Sequence, residues 1–402
     1  MDWSFLIKNK KALSVTTDTR TLNAGDVFFA LHGENFDGNT FVADALKKGV
    51  SLVVMDDKAQ YEQLGSEQKS KCVVVENSLL ALQDLANQWR KMLSIKVLAI
   101  TGTNGKTTTK ELITTVLKTK YTVCATQGNL NNEIGVPLTL LKMTAEDDIA
   151  IVEMGASHPG DIKELAEIAE PDCGLITNVG IAHIAGFGSF EGVMQTKKEL
   201  YDYLKEHDGF VFRNADNQYL TTMAGDLKSI TYRTGKMLEN THLIGSYNAE
   251  NVSAAICVGE YFGIEKAAAI EAIRGYIPHN NRSMLLQTQH NTVIMDAYNA
   301  NPSSMMVALN DFDGDTYILG SMQELGTYSQ TAHQNLVNSL NERRADNVFL
   351  VGEEFEQTTA TYPIFRTVEE LEDFLQKNPL QNRKILVKGS RKNKLENIIN
   401  NL

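Results

Sequence analysis

The stretch Ile100-Thr101-Gly102-Thr103-Asn104-Gly105-Lys106-Thr107-Thr108-Thr109 decides the fold of this chain. It follows an apolar run at 97–100 and precedes apolar residues at helical spacing between 112 and 117, which predicts a strand, a glycine turn and a helix. In that arrangement the backbone amides and the helix N-terminus attract a polyphosphate, Lys106 reaches the outer phosphates, and the Thr107 hydroxyl binds Mg²⁺. The standard pattern also has a glycine separated from the Gly-Lys pair by four residues, where this chain has Ile100. We therefore predict a shortened phosphate-binding loop, against the alternative of a glycine turn that binds nothing.

Composition limits the class of protein. A chain of 402 residues with 43% hydrophobic and 22% charged residues predicts a soluble globular protein of roughly two to four domains. The formal net charge of −12 argues against a general surface for nucleic acid or anionic membrane. Residues 1–10 lack the apolar core of a signal peptide and no run approaches the length of a membrane span, so we expect a cytoplasmic protein. The four cysteines lack paired spacing, which fits reduced thiols better than zinc or disulfides.

Strand-like and helix-like segments alternate along the chain, which predicts an α/β fold. We divide it into a small N-terminal α/β domain at 1–93, a central domain at 94–285 with a mostly parallel sheet that carries the phosphate loop, and a C-terminal domain at 286–402. Four apolar strands with intervening helices make the last domain Rossmann-like. No G-x-G-x-x-G follows any of those four strands, so a dinucleotide site is not expected there.

Polar side chains follow two strands of the predicted central sheet. Glu153 ends the apolar run 149–152, and His183 follows the strand-like segment 174–179. Ligands of open α/β sheets bind at the carboxyl ends of the strands. Glu153 is therefore a candidate magnesium ligand or water orienter, the alternative being a surface glutamate. For His183 a functional and a structural role stay equally open.

One lysine lies on an apolar helix face. At 100° per residue, Phe190, Val193, Leu200 and Leu204 fall on one side of a predicted helix, with Lys197 in the middle of that side. A lysine in this position must snorkel to solvent, pair with an anion, or be chemically altered to lose its cation. Snorkelling would be the ordinary explanation.

Together these motifs resemble the Mur ligases of bacterial cell-wall synthesis, over nearly the whole chain. The segments that carry the resemblance are Asp18-Thr19-Arg20, Gly25-Asp26, Asp37-Gly38, Gly102 to Thr108, Gly128 to Pro137, Glu153 to Ala156, His183 with Gly186 to Ser189, Lys197 to Leu200, and Asp296 to Pro302. Within the family, Met322 to Gly326 and Val387 to Arg391 are similar to members that add D-alanyl-D-alanine, and the Asp-Asn-Pro-Arg signature of the diaminopimelate- or lysine-adding members is absent.

The resemblance implies ATP and Mg²⁺ as cofactors and assigns roles to matching residues. The implied catalytic residues are Lys106, Glu153, His183 and Lys197, and the implied metal ligands are Thr107, Glu153, His183 and Lys197. The implied ATP site comprises Gly102, Thr103, Asn104, Gly105, Lys106, Thr107, Thr108, Asn248, Arg282 and Asp296. The implied substrate contacts are Asp18, Thr19, Arg20, Asn131, Asn132, Tyr298, Asn299, Asn301, Ser390 and Arg391. In this family the lysine matching Lys197 carries a carbamate derived from CO₂, which replaces a misplaced cation by an anionic magnesium ligand.

The reaction implied by the resemblance is ATP-dependent ligation of D-alanyl-D-alanine to UDP-N-acetylmuramoyl-tripeptide through an acyl phosphate. It serves peptidoglycan synthesis and thereby cell shape and division. We expect a monomer with small-molecule substrates only, without nucleic-acid partners or membrane insertion. The chain departs from the family at Tyr247, where many relatives have histidine, and at Ser321, where the family often has aspartate. The alternatives are a P-loop nucleotide switch, another amide ligase of the Mur or folylpolyglutamate type, and a non-catalytic homologue.

Overall fold

A computed structural model describes residues 1–7, 13–33, 36–278 and 281–402. Its strands form three sheets of four, six and six strands and one short antiparallel pair, and nearly all neighbouring strands in the sheets are parallel. The predicted α/β fold is therefore confirmed. In the part of the chain that the structure describes, no helix has both the length and the apolar character needed to cross a bilayer.

The first sheet lies in the N-terminal part. The strands there are β1 (Val15–Thr16), β2 (Val27–Phe29), β3 (His32–Gly33), β4 (Phe36–Asp37), β5 (Leu52–Met55) and β6 (Cys72–Val74). The helices are α1 (Ser4–Ile7), α2 (Val42–Lys47), α3 (Lys58–Gln63), α4 (Ser66–Lys69) and α5 (Ser78–Met92). The parallel order is β1-β2-β5-β6, and β3 pairs with β4 alone. The four strands of this sheet are only two to four residues long.

Helix α5 joins the first sheet to the second. Its apolar stripe, which includes Leu82 and Trp89, is buried in one core together with Phe29 of the first sheet and Val97 of the second. The Trp89 indole also donates a hydrogen bond to the Met143 carbonyl at 3.0 Å. The two sheets therefore share a hydrophobic core, and a domain boundary near residue 93 stays a prediction.

The second sheet carries the phosphate loop. Its strands are β7 (Lys96–Thr101), β8 (Val123–Ala125), β9 (Ile149–Glu153), β10 (Cys173–Ile176), β11 (Phe210–Asn214) and β12 (Ser229–Tyr232). The helices are α6 (Lys106–Leu117), α7 (Gly135–Leu140), α8 (Asp161–Ala169), α9 (Ile184–Phe187), α10 (Phe190–Glu206), α11 (Gln218–Ala224), α12 (Asn248–Tyr261) and α13 (Lys266–Arg274). The order is β12-β11-β10-β7-β9-β8, all parallel, so β7 lies between β10 and β9. The carboxyl ends of these three central strands meet at one edge, where ligands bind in such sheets.

The third sheet lies in the C-terminal part. Its strands are β13 (Met284–Gln287), β14 (Thr292–Asp296), β15 (Thr316–Gly320), β16 (Asn347–Val351), β17 (Ile364–Phe365) and β18 (Lys384–Lys388). Its helices are α14 (Pro302–Asp311), α15 (Ser329–Glu342) and α16 (Val368–Lys377). The order is β13-β14-β18-β15-β16-β17, with β13 antiparallel. The four predicted strands are confirmed. The edge strands β13 and β17 are additions that apolar content alone does not reveal, because an edge strand is less buried than a central one.

Candidate functional site

A cavity of about 820 Å³ lies between the carboxyl edge of the second sheet and the third sheet. Most of the predicted site residues line it. From the second sheet these are Gly102 to Thr108, Asn131, Asn132, Glu153, His183 and Lys197, and from the C-terminal side they are Arg282, Asp296, Tyr298, Asn299 and Arg391. The fold therefore brings together residues that lie up to almost 300 positions apart in the chain.

The phosphate loop requires both of its glycines. The predicted strand and helix are confirmed, since β7 ends at Thr101 and α6 begins at Lys106. Gly102 has φ +141°, and a Cβ there would lie 2.0 Å from the Thr177 hydroxyl oxygen. Gly105 has φ +79°, and a Cβ there would lie 2.7 Å from the side-chain oxygen of Asn251. Only glycine fits such backbone conformations with neighbours this close.

Two residues after β10 hold the loop in place. The Asn104 backbone amide donates to the Asn178 side-chain oxygen at 3.0 Å, and the Thr177 hydroxyl donates to the Asn104 carbonyl at 2.6 Å. Asn178 also lines the cavity. Neither residue is in the predicted site. The available signal is their position directly after an apolar strand, the same signal that identifies Glu153.

Lys106 is held inside the loop. Its ammonium group donates to the Gly102 carbonyl at 2.7 Å and to the Thr103 carbonyl at 3.1 Å. Burial lowers the pKa of this lysine, and the nearby Glu153 charge partly opposes that effect. The cation thus lies where the loop amides would also face a polyphosphate.

Glu153 offers one unused oxygen. The side chain is only 1% exposed, and its Oε1 accepts hydrogen bonds from the Thr107 hydroxyl at 3.2 Å and from the Asn131 amide at 2.9 Å. Its Oε2 is buried and finds no hydrogen-bond donor among the described residues. A buried carboxylate oxygen without a partner is costly, and a hard cation bound by carboxylate and hydroxyl oxygens would satisfy it. The described residues contain no ready-made cluster of three or more histidine, cysteine or acidic side chains.

Lys197 is buried without an anion beside it. The residue is 2% exposed, and in the described structure its ammonium group forms no hydrogen bond or ion pair, lying 5.6 Å from the centre of the Phe187 ring. The side chain ends in the cavity wall, so the ammonium group faces the cavity and not the outer surface of the protein. Burial, aided by the Lys106 charge, lowers the pKa of Lys197 to about 7. Near neutral pH a large share of this side chain is the uncharged amine.

His183 faces a carboxylate from the C-terminal part of the chain. Its Nδ1 lies 2.5 Å from Oε2 of Glu324, which also lines the cavity, but the two atoms are in contact without forming a hydrogen bond of good geometry. The contact with His183 lowers the pKa of Glu324. Glu324 is absent from the predicted site, although it lies in the segment Met322 to Gly326 that carries part of the family resemblance.

Basic side chains form the C-terminal wall. The Lys388 ammonium lies 2.5 Å from an Asp296 carboxylate oxygen, and both side chains are largely buried. The Arg282 guanidinium stacks 3.7 Å from the centre of the Tyr298 ring, and the Arg391 guanidinium lies 5.9 Å from the same centre. This wall is suited to anionic groups because two guanidinium groups lie on one aromatic ring. Lys388 is a further cavity residue that the prediction lacks.

Asn248 is placed behind the cavity wall, not in it. It is 1% exposed, its amide donates to the Ile244 carbonyl at 2.7 Å, and its oxygen accepts from Asn251 at 2.9 Å. Its neighbours Tyr247 and Asn251 line the cavity instead. Tyr247 bonds through its hydroxyl to Ser283, and burial raises the pKa of the phenol.

Two predicted residues of the C-terminal part also lie just outside the cavity wall. The Asn301 amide donates to the Asn104 side-chain oxygen at 2.8 Å, so this residue touches the phosphate loop directly. The Ser390 hydroxyl donates to the Ser321 carbonyl at 2.8 Å and is buried. Ser321 itself is 1% exposed, and its hydroxyl oxygen accepts from the Asn393 amide at 3.0 Å. The Gln323 amide joins this hydroxyl to the Glu354 carboxylate, at 3.2 Å from each.

Asp18, Thr19 and Arg20 lie in the N-terminal part and do not line this cavity. The Arg20 side chain is 87% exposed and lies 2.6 Å from the Asp18 carboxylate. Hydrogen bonds from the Arg20 side chain and backbone, helped by the Arg20 charge, lower the pKa of Asp18 to about 2. Any ligand contact by these residues belongs to a different surface from that of the phosphate loop.

Known proteins match this chain along most of its length. Three family descriptions match in order: Mur ligase family, catalytic domain, at residues 13–90; Mur ligase middle domain at 100–237; and Mur ligase, glutamate ligase domain, at 281–391. The UDP-N-acetylmuramoyl-tripeptide–D-alanyl-D-alanine ligase of Bacillus subtilis is 35% identical over 96% of this chain and 92% of its own length. The chain belongs to the Mur ligase family. The same-named ligase of Escherichia coli is 30% identical over 96% of the chain and 92% of its own length.

Solved Mur ligase structures share the architecture. MurF from Acinetobacter baumannii superposes with a TM-score of 0.85 at 28% identity, covering 96% of this chain and 92% of that one. The MurF ligase of Thermotoga maritima in complex with ADP superposes with a TM-score of 0.84 at 26% identity, covering 98% of both chains. This Mur ligase therefore has the three-sheet fold of those enzymes, and its three matched segments contain the three sheets in order.

Proposed function

We propose that this Mur ligase uses ATP to join UDP-N-acetylmuramoyl-tripeptide to D-alanyl-D-alanine, forming the UDP-linked pentapeptide precursor of peptidoglycan. The observation that carries the proposal is one cavity with two walls. The phosphate loop with Lys106 and Glu153 forms one wall, and the cationic side chains of Arg282 and Arg391 belong to the other. Relatives named for this reaction match over nearly the full chain, which supports the same substrates here.

In the first step the terminal carboxylate of the tripeptide attacks the γ-phosphorus of ATP. The bond from that phosphorus to the β,γ-bridging oxygen breaks, ADP leaves, and the peptide carries an acyl phosphate. Charge on the transferring phosphoryl group needs fixed positive groups around it. Lys106 and the backbone amides of Gly102 to Thr108 would supply them.

In the second step the dipeptide amine attacks the acyl carbon. The nitrogen loses a proton, the new amide bond forms, and inorganic phosphate leaves. We assign the dipeptide side to Tyr298, Asn299 and Arg391, which line the wall opposite the phosphate loop. The buried Asn301 and Ser390 would support this side from outside the cavity wall. Enclosing the reactants between the sheets would keep water from the acyl phosphate. Asn131 and Asn132 would contact the reactants from the loop before α7.

Magnesium fits the Glu153 side of the cavity, since the unpartnered Oε2 of Glu153 and the Thr107 hydroxyl are hard oxygen donors. We propose Thr107, Glu153, His183 and a carbamylated Lys197 as the residues that hold it. When bound, the ion neutralises charge between the anionic reactants. Carbamylation needs an uncharged amine, and the buried, unpaired Lys197 provides one.

The remaining assignments belong to the same proposal. The domains comprise residues 1–93, 94–285 and 286–402, and Asp18, Thr19 and Arg20 of the first would contact the UDP-sugar end of the substrate. Asn248 and Asp296 would support the nucleotide. We propose a cytoplasmic monomer that serves cell-wall synthesis and cell division, in keeping with a net charge of −12 that disfavours nucleic-acid partners.

Phosphate release tests the proposal against a P-loop nucleotide switch. The purified protein is incubated with ATP and Mg²⁺, and phosphate is measured with UDP-muramyl tripeptide, D-alanyl-D-alanine, both, or neither. A ligase releases phosphate at its full rate only with both substrates. Equal release from ATP alone would identify a nucleotide hydrolase instead.

A further inference from the structure

The contact between His183 and Glu324 joins the second and third sheets at the cavity. His183 lies directly before α9, and Glu324 lies just before the short 3₁₀ helix Gly326–Tyr328 that packs on α9. The two segments approach so closely that a Cβ on Gly326 would lie 3.1 Å from the Ala185 methyl carbon. The 2.5 Å distance between His183 Nδ1 and Glu324 Oε2 is thus set by the packing of these two segments.

Both partners have an unusual backbone. His183 has φ +50° and Glu324 has φ +62°, in the left-handed region that residues with a Cβ rarely adopt. Such conformations persist where the surrounding structure fixes them, often at functional sites. Here they occur on the two sides of a single contact, and both side chains line the cavity. Together they place the His183 ring beside the Glu324 carboxylate across the sheets.

A carboxylate on one ring nitrogen of a histidine fixes its tautomer and the direction of the other nitrogen. Glu324 lies at Nδ1 of His183, so Nε2 is the nitrogen left to act in the cavity. We propose that Glu324 is a positioning residue that orients His183 Nε2 toward the reacting groups. Because the two residues come from different sheets, the site is complete only when the C-terminal part is docked. This inference rests on the proposed ligase reaction.

Other contacts hold the same parts of the chain together without touching His183. The Ser246 backbone amide donates to Asp311 at 2.6 Å, and the Ser246 hydroxyl donates to the same carboxylate at 2.8 Å. Neither residue lines the cavity. Ser246→Ala therefore weakens the contact between the same two parts and is a matched control for the loss of Glu324.

The first readout is kinetic. Glu324→Ala should lower kcat about 10- to 100-fold, the usual range for loss of a carboxylate behind a functional histidine, with the KM for ATP changed less than about twofold. Glu324→Gln, which keeps an oxygen at the same reach, should recover part of that loss. Ser246→Ala should stay within about twofold of the unaltered protein. A Glu324→Ala kcat equal to that of Ser246→Ala would overturn the proposal.

The second readout does not depend on activity. In protein labelled with ¹⁵N-histidine, the His183 resonances, identified by their loss in His183→Gln, should show a proton fixed on Nδ1. In Glu324→Ala they should shift toward the mixed tautomers of a free imidazole. Unchanged His183 resonances would refute positioning by Glu324. Failure of dipeptide-dependent phosphate release in the unaltered protein would refute the ligase reaction, and the resonances would still decide whether Glu324 orients His183.

Discussion

Replacing Lys197 with methionine should stabilise the folded protein and at the same time abolish ligation. The ammonium group is buried without a hydrogen bond or ion pair, so folding removes a cation from water with little compensation. The remaining favourable contributions are the Phe187 ring, 5.6 Å away, and the charges of Asp161 and Glu199 beyond ion-pair distance. Methionine keeps the length and apolar stem of lysine and removes the charge. Ligation should fall more than about 100-fold, because the amine that would form the carbamate is gone.

The magnitude follows from the pKa of Lys197. Burial lowers it from 10.5 to about 7, and at about 1.36 kcal/mol for each pH unit the buried charge costs at most about 5 kcal/mol. Between pH 7 and pH 10.5 the unfolded chain binds more protons than the folded chain at this site, so folded stability rises with pH in that window. The stability advantage of Lys197→Met should therefore be largest at or below pH 7 and shrink by about 2 kcal/mol at pH 9.

Urea unfolding in CO₂-free buffer measures this difference at pH 7 and pH 9. The chain has two tryptophans, Trp3 and Trp89, both fully buried in the core that also contains Leu200 and Leu204 of α10, so their fluorescence reports on the core beside Lys197. Lys198→Met is the matched control. Lys198 lies on the same helix, but it is partly exposed and pairs with Asp202. An advantage of Lys197→Met that is equal at the two pH values would refute the buried-cation reasoning.

Three further substitutions have defined outcomes. Glu153→Gln keeps hydrogen-bonding atoms at this position but removes the negative charge of the carboxylate, whose Oε2 has no partner among the described residues. The kcat should therefore fall about 10²- to 10³-fold, and the Mg²⁺ concentration that gives the half-maximal rate should rise. Gly102→Ala places a Cβ 2.0 Å from the Thr177 hydroxyl oxygen at φ +141°, and should abolish ATP binding measured by calorimetry. Asp296→Asn leaves the buried Lys388 ammonium without its anion, and should lower stability by about 3 kcal/mol in thermal unfolding of the C-terminal part.

Each of these has an outcome that contradicts it. A Mg²⁺ requirement unchanged in Glu153→Gln would remove this carboxylate from the metal site. Gly128→Ala is the control for Gly102→Ala, because Gly128 also has positive φ but a Cβ there would meet nothing within 4 Å. Equal loss of ATP binding in both would mean that the close approach to Thr177 is irrelevant. If Asp296→Asn unfolds at the same temperature as the unaltered protein, the Asp296 carboxylate is not needed to compensate the buried Lys388 charge.

The sequence predicts the site best at positions where few other residue types could occupy the same place in the structure. A glycine pair followed by Lys106 predicted the strand, loop and helix correctly, because glycine is required by both the backbone angles and the neighbours. Lys197 was recognisable because a cation on an apolar helix face contradicts the pattern around it. Glu153 was recognisable from its place at the end of an apolar strand.

The contacts of polar side chains between distant segments could not be predicted. Asn178 and Glu324 are ordinary polar residues in turns, and their roles arise only when β10 and the segment after β15 meet the loop and α9. Asn248 shows the opposite case, because it is predicted to contact the nucleotide but its amide points away from the cavity and donates to the Ile244 carbonyl. Periodicity gives the face of a helix or strand, but not which turn from another sheet lies opposite it.

Oxygen transfer tests the ligase reaction most directly. UDP-muramyl tripeptide labelled with ¹⁸O in both oxygens of its terminal carboxylate is incubated with the protein, ATP, Mg²⁺ and D-alanyl-D-alanine, and both products are analysed by mass spectrometry. An acyl phosphate formed at the cavity predicts a UDP-pentapeptide that retains one ¹⁸O and inorganic phosphate that carries the other. Phosphate without ¹⁸O, or no pentapeptide, would contradict the mechanism.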